Sequence, residues 1–310
     1  MVAELLVAGV LLQAQQSQDV YQRVKQALGD DGVTRLRAKH FSELEEQLSA
    51  VKTASDPERV EMLALRGAVE FIDGKMAQAA NDFQQAEKLG PAREEDRFTH
   101  AMALVRLGEH EAEARTLLAG LAKERADKAI YWYWLGRVDY YQRRYSEAVQ
   151  NLEKAVKLDP KAARSWDSLG LAWDMQGYLE QAQGMFEKAV ALNRAQALPS
   201  PWPAHNLGYL LLRTGETAKA EEALRESLKY DGHLTQTHYY LGRTLEKEER
   251  AAEAIEQYQL AVAGDPTSAD ACYSLAMLYR KLKREDEAKA MFEEFRKRKG
   301  MGSPRASEPR

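Results

Sequence analysis

The sequence repeats itself with a period of 34 residues, and this repetition constrains the fold more than any other feature. A Leu-Gly pair at 135–136 recurs at 169–170. A second pair at 207–208 recurs at 241–242 and, as Leu-Ala, at 275–276. The step from 169 to 207 is 38 residues, which indicates four inserted residues near 197–200. The chain is therefore expected to be an array of similar units.

Each unit carries a second mark downstream of its Leu-Gly pair. A small residue is followed four positions later by a bulky one: Ala148/Leu152, Ala182/Phe186, Ala220/Leu224, Ala254/Tyr258 and Ala288/Phe292. Two looser copies precede these, one around Gly67 and Phe83 and one around Ala101 and Leu118. A weaker copy is indicated by Leu44, Leu48 and Val51, and its first helix is interrupted by the Gly-Asp-Asp-Gly string at 29–32.

Each unit consists of two apolar-periodic segments joined by a polar turn, which predicts two antiparallel helices. Small side chains at the Gly and Ala positions allow the helices to approach closely, and the bulky residues fill the space between units. Pro91, Pro160 and Pro266 are expected to end second helices. A single pair cannot bury its apolar face, so the units must stack.

The motifs of these units resemble the tetratricopeptide repeat. Trp132-x-x-Leu135-Gly136, followed by Ala148, Leu152 and Pro160, matches the signature of that family, except that Asp139 replaces the usual aromatic. Trp166-x-x-Leu169-Gly170-x-x-Trp173 matches as well, although Arg194 stands where the closing Pro belongs. The resemblance implies an all-α fold, an α-solenoid with a right-handed superhelix and a concave groove, built from about seven helix-turn-helix units and a degenerate N-terminal unit.

The repeat frame divides the chain into four segments. Residues 1–16 are a possible signal-peptide-like segment, 17–59 the N-terminal helices or degenerate repeat, 60–302 the seven units, and 303–310 a disordered tail. Residues 5–12, LLVAGVLL, have the length of a signal-peptide apolar region. However, no Lys or Arg precedes them, and the acidic residue Glu4 stands directly before them. Two alternatives stay open: export to a compartment such as the periplasm, or a frayed first helix of a cytoplasmic protein.

The signature positions predict the core. Trp132, Leu135, Gly136, Trp166, Leu169, Trp173, His238 and Cys272 are expected to be buried. Cys272 occupies a signature Trp position, which makes it a small buried hydrophobe and not a nucleophile.

The opposite side of each first helix predicts a binding surface, because in tetratricopeptide proteins that side lines the concave groove. The second, fifth, sixth and ninth positions of the units are rich in aromatic residues and Arg, the types that dominate binding hot spots. The candidate partner-binding residues are Tyr133, Trp134, Arg137, His205, Asn206, Tyr209, Tyr239, Tyr240, Arg243 and Tyr273. The alternative is packing between adjacent first helices, which would hide half of these rings.

Several other functions find little support in the sequence. The carboxylate clamp by which some tetratricopeptide domains hold chaperone tails is not matched, since only Asn206 has the required type. No metal, phosphate-loop or nucleophile motif occurs, and with one Cys and a net charge of −4 neither a Cys-based zinc site nor a nucleic-acid partner is expected. No apolar run is long enough to span a membrane.

The sequence thus predicts a non-enzymatic scaffold or adaptor without a cofactor, which binds an extended peptide or a helix of another protein in its groove. The alternative is a structural module that uses its convex face or its ends for self-association or for an envelope complex. A groove substitution separates the two, because only the adaptor loses its partner while staying folded.

Overall fold

The computed structural model describes residues 2–265 and 267–300, with side chains from residue 18 onward. The apolar run at 5–12 lies in the first helix, but its side chains are outside the described residues, as are Pro266 and the predicted tail at 303–310. The described residues form helices and contain no strand. No described helix is long and apolar enough to cross a membrane.

The chain divides into two compact units, residues 1–158 and 159–310. The first unit contains α1 Val2–Ala38, α2 Phe41–Ala50, α3 Asp56–Asp73, α4 Met76–Leu89, α5 Glu94–Leu107, α6 Glu111–Glu124, α7 Ala129–Tyr141 and α8 Tyr145–Leu158. The second contains α9 Ala163–Met175, α10 Leu179–Asn193, α11 Trp202–Thr214, α12 Thr217–Tyr230, α13 Thr235–Lys247, α14 Ala251–Gly264, α15 Ala269–Lys281 and α16 Glu285–Gly300. From α3 onward the described helices form seven packed pairs, which confirms the predicted helical repeats.

The small and bulky signature residues meet inside each pair, as the spacing predicted. A Cβ added to Gly170 would lie 2.6 Å from Phe186 Cδ1, and one added to Gly208 would lie 2.6 Å from Leu224 Cγ. Phe186 and Leu224 are fully buried. The two helices of a pair can therefore approach closely, because the Gly position has no side chain that would separate them.

All three Trp residues predicted to be in the core are only half-buried: Trp132, Trp166 and Trp173. Trp132 Nε1 donates to the Ala126 carbonyl at 3.1 Å, and Trp166 Nε1 donates to the Pro160 carbonyl at 2.9 Å. An indole that hydrogen-bonds to a loop carbonyl keeps its polar edge near the surface, which explains the partial exposure of Trp132 and Trp166. His238 and Cys272 are buried, as predicted.

The first helix bends sharply at Gly29, within the string that the sequence marked as an interruption. Gly29 has φ 70° and ψ −160°, a backbone conformation that favours glycine. Beyond the bend, Gly32 returns against the preceding turns: a Cβ added there would lie 2.6 Å from Leu28 Cβ and 3.0 Å from Val24 Cγ1. The bend therefore gives α1 two segments with separate directions.

Candidate partner-binding surfaces

In the second unit the first helices of successive repeats pack against one another. α11 contacts both α9 and α13. An aromatic cluster forms along this side from Trp202, His205, Tyr209, Tyr239 and Tyr240. The Tyr209 and Tyr240 ring centroids are 4.6 Å apart, and those of Tyr239 and Tyr240 are 5.2 Å apart. The cluster thus joins α11 to α13 through the positions that the sequence assigned to the groove.

His205 is the buried centre of this cluster. Its ring lies between Trp202 and Tyr240, with centroid distances of 5.4 and 5.5 Å. Its Nδ1 is 2.8 Å from the Thr237 hydroxyl, within hydrogen-bond distance. Burial disfavours the charged imidazolium and lowers the pKa of His205 to about 4. His205 is therefore neutral at pH 7 and fixes the spacing between α11 and α13.

Two Arg residues flank the Tyr rings. The Arg213 guanidinium lies 5.2 Å from the Tyr209 centroid and donates to Asp174 Oδ2 at 2.7 Å. The Arg243 guanidinium lies 5.9 Å from the Tyr239 centroid and forms no ion pair with any described residue. These distances fit cation–π contacts. Burial, followed by the neighbouring Tyr209 and Tyr239 hydroxyls, raises the pKa of Tyr240 to about 12, so its hydroxyl stays protonated.

The ten predicted groove residues differ widely in exposure. Five are buried, each at 8% exposure or less: Tyr133, Trp134, Arg137, His205 and Asn206. Tyr209, Tyr239 and Tyr240 are half-buried, whereas Arg243 and Tyr273 are exposed. The five buried side chains therefore have little surface to offer a partner, and the more accessible members of the set lie in the middle of α11, on α13 and on α15.

The buried members have identifiable neighbours. The Asn206 side-chain amide donates to Asp167 Oδ1 at 2.9 Å, which ties α11 to α9. In the first unit, Tyr133 and Trp134 pack edge to face with centroids 5.3 Å apart. The Arg137 guanidinium lies 5.1 Å from the Tyr141 ring and donates to its hydroxyl. For His205 and Asn206, packing between first helices is what hides the side chains, as the alternative reading of these positions predicted.

The first unit contains a cavity of about 510 Å³ that the sequence analysis did not identify. Its apolar walls come from α1, α3, α5 and α7: Val20, Ala68, Phe71, Ile72, Phe98, Ile130 and Tyr131. Asp19, Arg23, Glu95, Asp96 and Lys128 supply charges around them. Glu95, Phe98 and Thr99 hold the second, fifth and sixth positions of their repeat, so the same position rule, applied upstream, would have identified this surface.

One end of this cavity is fixed by a charged network around Glu94. Lys128, Tyr131 and Arg125 all donate to the Glu94 carboxylate. Burial works against the charged carboxylate, but these three donors outweigh it and hold the pKa of Glu94 at about 2. The start of α7 is thereby tied to the start of α5, and Tyr131 is held in the cavity wall.

The described residues contain no group of three or more His, Cys, Asp or Glu side chains that could hold a metal ion. Burial raises the pKa of the Cys272 thiol, which keeps it protonated. His238 is occupied by hydrogen bonds to Gln257 at 2.7 Å and to the Gly232 carbonyl at 3.0 Å.

Comparisons with known proteins agree with the repeat frame. Tetratricopeptide-repeat family models match residues 129–162, 205–269 and 245–304. No curated protein sequence is similar enough to count as a match. Among solved structures, PilF from Pseudomonas aeruginosa is 21% identical with a TM-score of 0.58, over 74% of this chain and 99% of that one. A MamA RS-1 double mutant is 17% identical with a TM-score of 0.51, over 56% of this chain and 95% of that one.

The two solved structures share the fold, and the family models share its signature. Tetratricopeptide repeats are protein-interaction modules and are typically not catalytic, which agrees with a scaffold role. The motif positions, the seven helix pairs among the described residues and the matched family models lead to one conclusion: residues 129–162 and 205–304 consist of tetratricopeptide repeats.

Proposed function

We propose that this protein is a non-enzymatic adaptor that holds an extended peptide or a helix of a partner protein against the first helices of its second unit. The observation that carries the proposal is the accessible aromatic and Arg strip formed by Tyr209, Tyr239, Arg243 and Tyr273. Tyr and Arg are the residue types that contribute most to binding hot spots, since each combines a large contact area with polar groups.

The aromatic rings of the strip are held in place by contacts with neighbouring rings, which favours binding. Tyr209 and Tyr239 rest on Tyr240, and Tyr240 packs against His205. Tyr273 packs against Phe295 with centroids 5.3 Å apart. Rings that are already held in place lose little conformational entropy when a partner binds, so more of the contact energy appears as affinity.

Arg243 supports a preference for a partner with a carboxylate. Its guanidinium is exposed beside Tyr239 and has no acidic partner among the described residues. A guanidinium next to an aromatic ring can donate two parallel hydrogen bonds to a carboxylate while the ring packs against the neighbouring apolar group. The proposed ligand is therefore a segment that carries an acidic residue next to an apolar one.

Capture of partners from the native host's lysate tests the proposal. The wild type is compared with Tyr239→Ala and Arg243→Ala, and with Leu260→Ala, which removes an exposed side chain from the second helix α14. We expect the two strip variants to stay folded and to lose a protein that the wild type and Leu260→Ala both capture. Retention by the strip variants together with loss by Leu260→Ala would favour assembly through the convex face.

A further inference from the structure

The segment of α1 before the bend, residues 18–28, packs on the first unit through one stripe; we refer to it as the N-terminal arm. Val20, Arg23 and Val24 are buried, whereas Gln22, Lys25 and Gln26 are exposed. Buried positions spaced by three and four residues are the pattern by which an amphipathic helix lies in a groove. The arm contacts α3, whose Ala68 and Phe71 line the cavity beside it.

Arg23 is the polar anchor of the arm. Its Nη1 and Nη2 donate to the two Asp96 oxygens at 2.7 and 3.3 Å, and its Nε donates to Glu61 Oε1 at 2.7 Å. Arg23 is 5% exposed, and Asp96 is buried as well. A bidentate guanidinium–carboxylate pair fixes both position and orientation, so these two carboxylates act as a receptor for one guanidinium.

The groove is larger than the arm that lies in it. The cavity of about 510 Å³ begins at Val20 and Arg23 and extends past Phe98 to Ile130. A second anchor, between Asp19 and Arg93 at 2.8 Å, is at the partly exposed edge of the arm. A helix entering from the cavity would therefore meet apolar walls before it reached the buried carboxylate of Asp96.

The arm is connected to the rest of α1 through the non-helical residue Gly29. Gly29 takes the left-handed backbone conformation at the bend, and a side chain there would meet no atom within 4 Å. The backbone at this position is thus a local break in an otherwise helical segment, which is where a rotation of the arm would take place.

We propose that the groove lined by α3, α5 and α7 is a second interaction site and that the N-terminal arm is its built-in ligand. A partner protein binds there through a basic amphipathic helix that carries an Arg three residues after a Val or Ile and displaces the arm. The chemistry of the occupant follows from the site: the carboxylates of Glu61 and Asp96 bind a guanidinium, and the buried position of Val20 takes an apolar side chain of the size of Val. This site is separate from the Tyr and Arg strip of the second unit.

The test uses the full chain and a fluorescently labelled synthetic peptide with the sequence of residues 17–28 as the probe. Arg23→Gln weakens the binding of the arm to the groove. Val20→Ala also weakens it but leaves Asp96 paired with Arg23, so the test remains valid if Arg23→Gln does not fold. Lys25→Gln is the matched control, because Lys25 is on the exposed side of the arm and, among the side chains that the structure describes, forms an ion pair only with Asp30. Folding of each variant is checked by circular dichroism.

We expect the peptide to bind Arg23→Gln and Val20→Ala at least tenfold more tightly than the wild type or Lys25→Gln. A peptide with Gln in place of its Arg should not bind, and adding Asp96→Asn to the Val20→Ala chain should weaken binding at least tenfold. Equal affinity for all folded variants, or no binding to either released variant, would overturn the proposal. A wild-type dimer with exchanged arms, detected by light scattering, would also overturn it, because the occupant would then be a second copy.

Discussion

The ring centroids of Tyr209 on α11 and Tyr240 on α13 lie 4.6 Å apart, although the two residues are 31 positions apart in sequence. Tyr240 also packs against two apolar clusters of buried residues in this unit. Tyr240 therefore supports the fold, whereas the ring of Tyr273 on α15 is 45% exposed. The two Tyr residues thus differ in how much of the ring is buried.

This difference in burial predicts that two Tyr substitutions change the free energy of unfolding by different amounts. Tyr240→Ala should lower the free energy of unfolding by about 2–3 kcal/mol, because it removes a ring that is half-buried between α11 and α13. Tyr273→Ala should change it by only about 0.5 kcal/mol, because that ring is 45% exposed. Urea unfolding followed by circular dichroism measures both, and equal effects would contradict the assignment.

The close approach within helix pairs predicts a contrast between two Gly residues. Gly208→Ala should destabilise by about 1–3 kcal/mol, because the new Cβ would lie 2.6 Å from the buried Leu224 side chain and 3.2 Å from the Ala220 carbonyl oxygen. Gly184→Ala is the control: its Cβ meets nothing within 4 Å, and we expect stabilisation of about 0.5–1 kcal/mol. A stabilising Gly208→Ala in a thermal melt would refute the close packing.

Burial of His205 predicts a loss of stability in mild acid. Its pKa is about 4 when folded and 6.5 in the unfolded chain, so between these values the unfolded chain binds more protons. The contribution is fully present above pH 6.5 and is lost as the pH falls towards 4, by about 3 kcal/mol in total. His205→Gln should remove this slope, and an unchanged slope in urea titrations at pH 4.5–7 would contradict it.

Glu70 on α3 predicts the opposite pH dependence. Burial and then the neighbouring Asp82, partly offset by Arg66, raise the pKa of its carboxyl from 4.5 to about 7. The folded state holds this proton more tightly than the unfolded chain, so stability declines as the pH rises from 4.5 to 7. Glu70→Gln should therefore be more stable than the wild type at pH 8, by about 2–3 kcal/mol.

The titrations of His205 and Glu70 overlap in the wild type. Their effects on stability are therefore separated by comparing variants, because the shape of one curve of stability against pH does not distinguish them. Glu70→Gln should leave the acid slope that depends on His205 unchanged, since the two residues belong to different units. A Glu70→Gln protein that is less stable than the wild type at pH 8 would show that the carboxylate is favourably paired.

The repeat frame and the Gly-to-bulky contacts could be predicted because both depend on residues a fixed, short distance apart. Gly170 and Phe186 are 16 positions apart in one helix pair, and the same spacing recurs at Gly208 and Leu224. The burial of His205 and Asn206 was not predictable in this way. It depends on how closely α11 packs against α13 and α9, which no single repeat determines.

The position of the N-terminal arm could not be predicted either. The Gly-Asp-Asp-Gly string at 29–32 indicated an interruption but not where the preceding helix would lie. The arm is held by Arg23 and Asp96, 73 positions apart, and neither residue belongs to the repeat signature. Contacts between a repeat array and a segment outside it leave no periodic mark in the sequence.

Hydrogen exchange of the second unit, with and without the captured partner, tests the adaptor proposal most directly. Binding against the strip of Tyr209, Tyr239, Arg243 and Tyr273 predicts slower exchange in α11, α13 and α15, and unchanged exchange in α12, α14 and α16. Tyr239→Ala should abolish the protection. Protection confined to α12, α14 and α16, undiminished by Tyr239→Ala, would contradict binding at the strip.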